Sequence, residues 1–314
     1  MPPIGFLKHA LTKKSFDPLS LKPYVDRVET ESADAFDAST TSFWRAPLPA
    51  SYSSFIGRKL FRFLLTVQGL GAFALITLGV LVSKFRVARA VMRPVIRYEI
   101  ERSGVRLLPM FLFLSFAIGL VIIGQTVSWF ARVPALMDQI GAVMVVVVVR
   151  ELGPLLAAIL LLSRVGTANV IELGTARATG EVEALESLGI DPIHYLVMPR
   201  VIGMAVGLFA LTIYLILGSL FSGYLWAFIQ DVPLRPGDYF QQIAGALTTM
   251  DFVLLGLKTV LFGFIIGIVT CYHGLAQPLR LEEVSAATVR AVAQSIILCV
   301  LLDAVFIVIY LASA

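Results

Sequence analysis

Six apolar segments dominate the pattern of hydrophobic and polar positions along the chain. Each has about 20 residues or more, the length that an α-helix needs to cross a hydrocarbon core about 30 Å thick. They are Phe63–Ser83, Leu107–Val127, Ile140–Leu162, Val201–Ile229, Phe252–Tyr272 and Ala291–Ala312. The short alternating segments of a transmembrane β-barrel are absent from the pattern. The sequence therefore predicts an all-α polytopic membrane protein.

The first of these segments differs from the others in the charges that flank it. Positive residues stand on both sides, at Arg58, Lys59 and Arg62 before it and at Lys84, Arg86, Arg89 and Arg93 after it. A spanning helix keeps its positive flank on the cytoplasmic side. We therefore interpret the segment as an interfacial (elbow) helix that returns to the side it left. A true span is the alternative.

The remaining five segments are then spans, and the distribution of lysine and arginine orients them. Of those in the links between the segments, twelve fall on one side, seven of them between positions 84 and 106, and the other side has only Arg132 and Arg235. Because positive residues concentrate in cytoplasmic loops, the count predicts a cytoplasmic N-terminus and a periplasmic C-terminus. Residues 84–106 and the polar link from Ser163 to Arg200 are then cytoplasmic loops.

Composition narrows the class of protein further. Residues 1–56 are polar, which predicts a flexible cytoplasmic extension before a membrane domain of residues 57–314. The net charge is only +4, and no basic stripe with interleaved aromatic residues lies outside the spans, so nucleic acid is excluded as a partner. The histidines have no metal-ligand spacing. Cys271 and Cys299 fall within apolar segments and are expected to pack as small apolar side chains.

The polar link between the third and fourth segments contains the sequence GEVEALESLGIDP, which predicts a short amphipathic helix. Val182, Leu185 and Leu188 share one side of it, and three glutamates occupy the remainder. Thr179 is placed to cap its start, and Gly189 to end it in a left-handed conformation. The helix either packs on the bundle as a surface element or is offered to a cytoplasmic partner.

Charged residues within the predicted spans are the main chemical signal: Arg150, Glu151, Lys258 and Asp303, with Asp251 at the outer end of the fifth segment. Each costs about 2.5–3.5 kcal/mol to insert, so such side chains face the protein interior and have partners. Asp251 and Lys258 are two helical turns apart and share a face, whereas Arg150 and Glu151 point about 100° apart. We expect Glu151 to face Lys258, with Arg150 turned to a wet cavity or to another acid. Such pairs either fix helix register or line a substrate path.

Pro154 follows Glu151 by one turn, where it removes a backbone hydrogen bond and is expected to loosen the helix beside a cavity.

No nucleotide-binding GxxxxGK[ST] motif occurs in the chain. Its Ser, His and acidic residues are not arranged around a recognisable nucleophile. The chain is therefore expected not to be an enzyme, and a partner or an ion gradient would supply its energy.

Two blocks of sequence resemble the permease subunits of lipid ABC transporters of the mammalian-cell-entry (MCE) type, the MlaE/YrbE family. The first block is RELGPLLAAILLLSRVG followed by IELGTARATGEVEALESLGIDPIHYLVMPR. The second comprises Lys258-Thr-Val-Leu-Phe-Gly, Cys271-Tyr-His-Gly, VSAATVRAV and Asp303. The resemblance extends from residue 57 to the end of the chain.

The resemblance implies a homodimeric permease of the bacterial inner membrane with an interfacial helix and five spans. Its partners would be a pair of ABC ATPase subunits, which bind ATP and magnesium, a hexameric ring of MCE-domain proteins on the outer face, and a STAS-domain protein. The cargo would be phospholipid or a similar lipid, moved between the inner membrane and the outer envelope and connected with outer membrane lipid asymmetry. The lipid cavity would lie at the dimer interface. The chain would need no cofactor of its own.

The resemblance also assigns positions. The charge network of the lipid cavity would be Arg150, Glu151, Asp251 and Lys258, with further charged positions at Arg290 and Asp303. The ATPase would bind a coupling helix from Gly180 to Leu188, through Arg177, Glu181, Val182, Leu185, Glu186 and Leu188. The chain departs from the family at Gly180, where an acid is common, and at Leu281-Glu282-Glu283, where small residues are usual.

The leading hypothesis is thus a lipid permease driven by a partner ATPase. An ion-coupled secondary transporter that uses Glu151, Lys258 and Asp303 is the alternative, although no internal repeat supports it. A membrane scaffold, in which the intramembrane charges are structural pairs, is the third.

Overall fold

The computed structural model describes residues 68–80, 89–130, 140–230, 236–275 and 280–313, and all regular structure in these ranges is helical. Five of the described helices are long and apolar enough to cross a membrane: α2 (Met92–Trp129), α3 (Gly141–Ala178), α5 (Ile193–Ile229), α7 (Thr249–Leu275) and α8 (Leu281–Ala312). Three shorter helices accompany them: α1 (Gln68–Val80), α4 (Glu181–Ser187) and α6 (Pro236–Ala246). The prediction of an all-α polytopic membrane protein is confirmed.

The predicted N-terminal extension, residues 1–56, lies outside the described residues, as do both ends of the first apolar segment. The described part of that segment is α1. Its Leu70 is buried in the core, whereas Leu75 and Ile76 are exposed. The interpretation of this segment as an interfacial helix stays a prediction.

Helices α5 and α7 form the centre of the bundle because small residues let their neighbours approach closely. Helix α5 packs against α2 and α7, and α3 and α8 pack against α7. Gly263 of α7 lies against the backbone of α5, where a Cβ atom would meet the Cα atom of Ala205 at 2.6 Å. A larger residue would push these helices apart. Helices α2 and α8 are the least buried of the five long helices.

Residues 89–106 are largely helical, which corrects the prediction that they belong to a loop. The α-helix Arg89–Ser103 leads through a 3-10 turn, Val105–Leu107, into the α-helices Leu108–Ile118 and Gly124–Phe130. Met92, Glu99 and Ser103 are buried at helical spacing, and this part of α2 packs against α5. The exposed arginines surround that buried stripe. The loop is predicted from a count of charged residues, which includes the arginines but does not detect the buried residues between them.

Helices α3 and α5 extend far into the predicted polar link. Helix α3 continues to Ala178, and α5 begins at Ile193, so the link shrinks to residues 179–192. Val170 and Leu173 of α3 are buried in the apolar core, and the Leu173 side chain lies against Gly274 of α7. The burial of these two side chains stabilises the helix. The other side of this helix is polar, and for that reason the sequence suggests a loop here.

Three of the long helices contain short π-helical segments: Gly119–Ile123 in α2, Val145–Leu152 and Leu162–Gly166 in α3, and Ile193–Val197 in α5. A π-helical turn is closed by an i→i+5 hydrogen bond and is frequent at functional sites. The segment Val145–Leu152 contains Arg150 and Glu151 and ends two residues before Pro154. The helix is therefore irregular where the sequence predicts that Pro154 loosens it.

Helix α6 connects α5 to α7 and is anchored by one aromatic side chain. Tyr239 is buried, and its hydroxyl donates a hydrogen bond of 3.3 Å to the carbonyl oxygen of Leu220. Burial raises the pKa of Tyr239, because the charged phenolate would lose its hydration. The ring also contacts Tyr224 and Phe240. These contacts fix the connection that precedes α7.

Candidate functional site

Lys258 is the centre of an ion-pair cluster inside the bundle. Its side chain is fully buried, and its Nζ atom lies 2.5 Å from Asp303 Oδ1 and 3.3 Å from Glu151 Oε2. Nζ also donates a hydrogen bond of 2.8 Å to the carbonyl oxygen of Arg150. The ammonium group therefore has two hydrogen-bond acceptors on α3 and an ion-pair partner on α8. The predicted pair between Glu151 and Lys258 is present.

Arg150 pairs with a different acid. Its Nη2 atom donates a hydrogen bond of 3.1 Å to Asp251 Oδ2, and its Nε atom lies 2.8 Å from Asp251 Oδ1 in the same ion pair. Asp251 is buried, and its Oδ2 atom also accepts hydrogen bonds from the backbone N–H and the hydroxyl of Thr248. The guanidinium lies over the ring of Tyr310, 4.9 Å from the centroid. The sequence predicts that Arg150 faces either a wet cavity or another acid. In the structure it faces an acid, Asp251.

The arrangement of the helices explains how adjacent charges reach separate partners. Asp251 and Lys258 lie two turns apart on one side of α7. Arg150 meets the acid in the first turn of α7, and Glu151 meets the lysine further along it. The acid from α8 completes the second pair. We call Arg150, Glu151, Asp251, Lys258 and Asp303 together the Lys258 cluster.

The Lys258 cluster ties α3, α7 and α8 together and is open on one side. Removing a charge from water costs several kcal/mol, which is offset only when each ion finds well-placed partners. The side chains of Glu151 and Arg150 remain 30% and 25% exposed, whereas that of Lys258 is not exposed at all. The α3 edge of the cluster can therefore contact the polar part of a ligand, or a second copy of the chain. Thr248 and Tyr310 carry no charge, so nothing in the sequence marks them as members of this site.

Neither a metal site nor a reactive thiol accompanies these charges in the described part of the chain. It contains no group of three or more His, Cys, Asp or Glu side chains that could hold a metal ion. Cys271 and Cys299 are free and buried, so their predicted packing as small apolar side chains is confirmed. What the Lys258 cluster offers is fixed charge at the edge of an apolar bundle.

Helix α4 lies where the sequence predicts an amphipathic helix, between two glycines. Gly180 precedes it with a φ of 81°, and Gly189 follows it with a φ of 74°. Both values lie in the left-handed region, which glycine adopts at no steric cost. The predicted end at Gly189 is confirmed. The predicted cap is wrong, because the hydroxyl of Thr179 donates back to the carbonyl oxygen of Thr175 and Gly180 takes the position before the helix.

The apolar side chains of α4 differ sharply in exposure. Val182 is 1% exposed and belongs to the apolar core. Leu185 is half-buried, and Leu188, just after the helix, is 74% exposed. The surface that α4 presents to the outside therefore contains Leu188 and excludes Val182.

Arg177 holds α4 from the last turn of α3. Its Nε atom lies 3.2 Å from Glu183 Oε1, and its Nη1 atom lies 3.9 Å from Glu186 Oε1. Glu181 instead accepts a hydrogen bond of 3.3 Å from the hydroxyl of Thr179. Helix α4 is thus attached to α3 by two ion pairs as well as by its buried valine. Among the predicted coupling residues, Arg177 positions the helix.

A second ion-pair cluster, which the sequence analysis missed, joins α2, α3 and α5. Both carboxylate oxygens of Glu172 accept hydrogen bonds from Arg102, and Arg200 Nη2 lies 3.2 Å from Glu172 Oε2. Glu99 Oε1 is 3.6 Å from Arg200 Nε and 3.9 Å from Arg102 Nη1. We call these four residues the Glu172 cluster. The only hint of this cluster in the sequence is the i, i+3 spacing of Glu99 and Arg102. This spacing predicts an ion pair only if the stretch that contains both residues is a helix.

Arg290 belongs to neither cluster. It is exposed on α8, and its Nε atom donates a hydrogen bond of 3.3 Å to the carbonyl oxygen of Ala286. The other predicted charged position on this helix, Asp303, is part of the Lys258 cluster.

Comparison with known proteins agrees with this architecture. A family model described as Permease MlaE matches residues 96–309. A probable ABC transporter permease protein of Rickettsia felis is 31% identical over 248 residues, which cover 77% of this chain and 91% of the relative. A second one, from Rickettsia prowazekii, is 34% identical over 195 residues, which cover 62% and 74%. The chloroplastic protein TRIGALACTOSYLDIACYLGLYCEROL 1 of Arabidopsis thaliana is 30% identical over 200 residues, which cover 63% and 56%.

Proposed function

The chain belongs to the MlaE permease family, and we propose that, as an ABC transporter permease, it moves phospholipid or a similar lipid between a bacterial inner membrane and the envelope outside it. Hydrolysis of ATP by a separate ATPase subunit drives the movement. The observation that carries this proposal is the construction of α3. The helix that bears Arg150 and Glu151 ends at the turn into α4, and its Arg177 holds α4 in place.

Helix α4 has the properties of an element that binds a soluble partner. It stands between two left-handed glycines, so its orientation relative to α3 is set by the backbone and by Arg177. Leu188 and the side chains of Glu181, Glu183 and Glu186 are exposed on it. In the proposed complex the ATPase pair grips this surface, and a displacement of α4 passes to α3.

The lipid cargo is supported by the position of the exposed charges. Arg150 and Glu151 keep part of their surface at the edge of otherwise apolar helices, where a molecule with a charged headgroup and apolar chains can contact both. The Arabidopsis relative is named after a galactolipid, which favours a lipid over an ion as cargo. In the proposed homodimer the two α3 edges line one cavity.

The remaining partners and the orientation belong to the same proposal. A hexameric ring of MCE-domain proteins binds the outer face, and a STAS-domain protein accompanies the ATPase. The N-terminus and α4 face the cytoplasm, and the C-terminus faces the periplasm, as the distribution of lysine and arginine predicts.

Purification from the native membrane in mild detergent, with mass spectrometry of proteins and lipids, tests the assignment. We expect an ATPase, an MCE-domain protein and bound phospholipid to be recovered with the chain. Recovery of the chain without an ATPase in several detergents would contradict the proposal and favour the ion-coupled carrier.

The substitution Leu188→Asp tests the contact on α4. Because Leu188 is exposed, the fold should persist, while a charge at an apolar anchor should lower the recovery of the ATPase about tenfold or more. Leu281→Asp is the matched control, since Leu281 is 62% exposed at the start of α8. Thermal unfolding of both variants should match that of the unaltered chain. Equal recovery of the ATPase with Leu188→Asp and Leu281→Asp would refute the contact.

A further inference from the structure

Helices α2 and α5 form one rigid pair beside the Glu172 cluster. The hydroxyl of Ser103 donates a hydrogen bond of 2.6 Å to the carbonyl oxygen of Gly203. A Cβ atom at Gly203 would lie 2.8 Å from the Cβ atom of Glu99, and one at Gly207 would lie 2.6 Å from Ser103 Oγ. The backbones are therefore in direct contact, and the two helices cannot slide past each other without losing it.

Glu172 attaches α3 to this rigid pair. Its carboxylate accepts hydrogen bonds from Arg102 on α2 and from Arg200 on α5, so one group engages both helices. The two guanidinium groups are largely buried, at 16% and 13% exposure, and Glu99 is buried behind them. The fixed cations are therefore held in place by the α2–α5 pair, and Glu172 is the member of the cluster that α3 supplies.

The same end of α3 also carries the attachment of α4. Arg177, five residues after Glu172, pairs with Glu183 and Glu186 of α4. In the other direction, Glu151 lies 21 residues before Glu172, about 31 Å along the helix. Two segments of π-helix and Pro154 lie in or beside this stretch, and each is a point where a helix bends easily. A push on α4 alone could be absorbed by bending α3.

We propose that Glu172 is a positioning residue for transport. Its carboxylate ties the last turns of α3 to the α2–α5 pair, so a displacement of α4 moves these three helices together and changes the edge of the Lys258 cluster. Without the tie, α3 bends and the displacement is lost. This inference rests on the proposed function, because it needs a partner that displaces α4.

Glu172→Gln in the purified complex with its ATPase is the direct test. The complex is placed in vesicles of phosphatidylethanolamine and phosphatidylglycerol with a fluorescent phosphatidylethanolamine, and both ATP hydrolysis and lipid transfer are measured. We expect the variant to retain its ATPase and to hydrolyse ATP, while the lipid moved per ATP falls about tenfold, within the range of coupling between two sites. Glu101→Gln is the control, because Glu101 is an exposed acid of the same region whose pair with Arg106, at 3.7 Å, is exposed too. It should move as much lipid per ATP as the unaltered complex.

An unchanged ratio of lipid to ATP in Glu172→Gln would overturn the inference. Loss of the ATPase from that variant would overturn it as well, because Glu172 would then be a docking residue. Neither result would touch the proposed function. That proposal fails if the unaltered complex, with its ATPase bound, transfers no lipid.

A chemical cross-link decides the matter independently, including the case in which Glu172→Gln does not fold. Arg102→Cys and Glu172→Cys are combined, and a short bis-maleimide joins the two thiols; the native Cys271 and Cys299 are buried and do not compete. We expect poor coupling before cross-linking and recovery of lipid transfer afterwards. A cross-linked complex that still hydrolyses ATP without moving lipid would contradict a fixed tie and show that this contact must open.

Discussion

The Lys258 cluster and the Glu172 cluster both contain residues of α3, but they differ in how far their charged groups are exposed to water. In the Lys258 cluster the lysine has no exposed surface, and its ammonium group pairs with two carboxylates and one carbonyl oxygen. In the Glu172 cluster the central carboxylate is 44% exposed, so water solvates it whether or not its arginines are present. Water and salt screen an exposed ion pair and so lower its contribution to stability. A buried ion that loses its partner finds no water to take the partner's place. Similar pairs can thus serve stability in one place and positioning in another.

Lys258→Met should produce the largest loss of stability and would break the comparison if it did not. The substitution keeps an apolar stem of similar length but leaves Glu151 and Asp303 facing each other without a cation. Removal of one partner of a buried pair typically costs about 3–5 kcal/mol of unfolding free energy. Denaturant titration of the detergent-solubilised protein measures it.

Arg290→Met is the matched control for that measurement, since Arg290 is an exposed cation outside both clusters. Its unfolding free energy should change by less than about 0.5 kcal/mol. If the two variants were equally stable, burial would not be the property that distinguishes the clusters.

Double-mutant cycles sharpen the comparison. Glu151→Gln combined with Lys258→Met should show an interaction energy of about 0.5–3 kcal/mol, because the two side chains form one pair. Glu151→Gln combined with Glu172→Gln should be additive within about 0.5 kcal/mol, because the two acids lie far apart on α3. Unfolding free energies of the single and double variants supply both numbers. An additive first cycle would refute the buried pair.

A small effect on stability is expected from Glu172→Gln. The Glu172 carboxylate is 44% exposed, and Glu99 still faces the two largely buried arginines. The loss should therefore stay at about the 0.2–1 kcal/mol typical of exposed ion pairs, and the glutamine amide oxygen can still accept a hydrogen bond. Thermal unfolding should therefore be nearly unchanged in the variant that loses coupling. A cost as large as that of Lys258→Met would mean that the Glu172 cluster is a second structural core.

Much of the fold follows from the sequence because a long apolar run of about 20 residues in a membrane protein forms a helix. The structure confirms five helices that are long and apolar enough to cross a membrane, the pairing of Glu151 with Lys258 and the left-handed Gly189. Each of these predictions depends on local composition or on one strong constraint. The partner of Arg150 could not be chosen in the same way, since a wet cavity and Asp251 both satisfy a guanidinium. The choice depends on where α7 begins relative to α3, which only the packing decides.

The polar ends of the helices are where the sequence is least informative. Residues 89–103 are a helix in the structure, yet their buried stripe of Met92, Glu99 and Ser103 contains a charge and a hydroxyl and carries little apolar signal. The Glu172 cluster combines residues from three helices, and each of its members looks like an ordinary surface charge. Within a span, by contrast, a single charge stands out against its neighbours.

The π-helical segment Val145–Leu152 has a consequence for how this sequence can change in length. A π-helical turn has one residue more than the α-helical turn it replaces, and here it begins in a run of five consecutive valines. Deletion of any one of them leaves the same four-valine sequence and removes the extra residue. Conversion of the widened turn to an α-helical one would absorb the missing residue, so Arg150 and Glu151 would keep their faces relative to the preceding turn. A single missing codon in this repeat would thus be absorbed by the backbone, whereas the same deletion in a regular α-helix would turn every later side chain by about 100°.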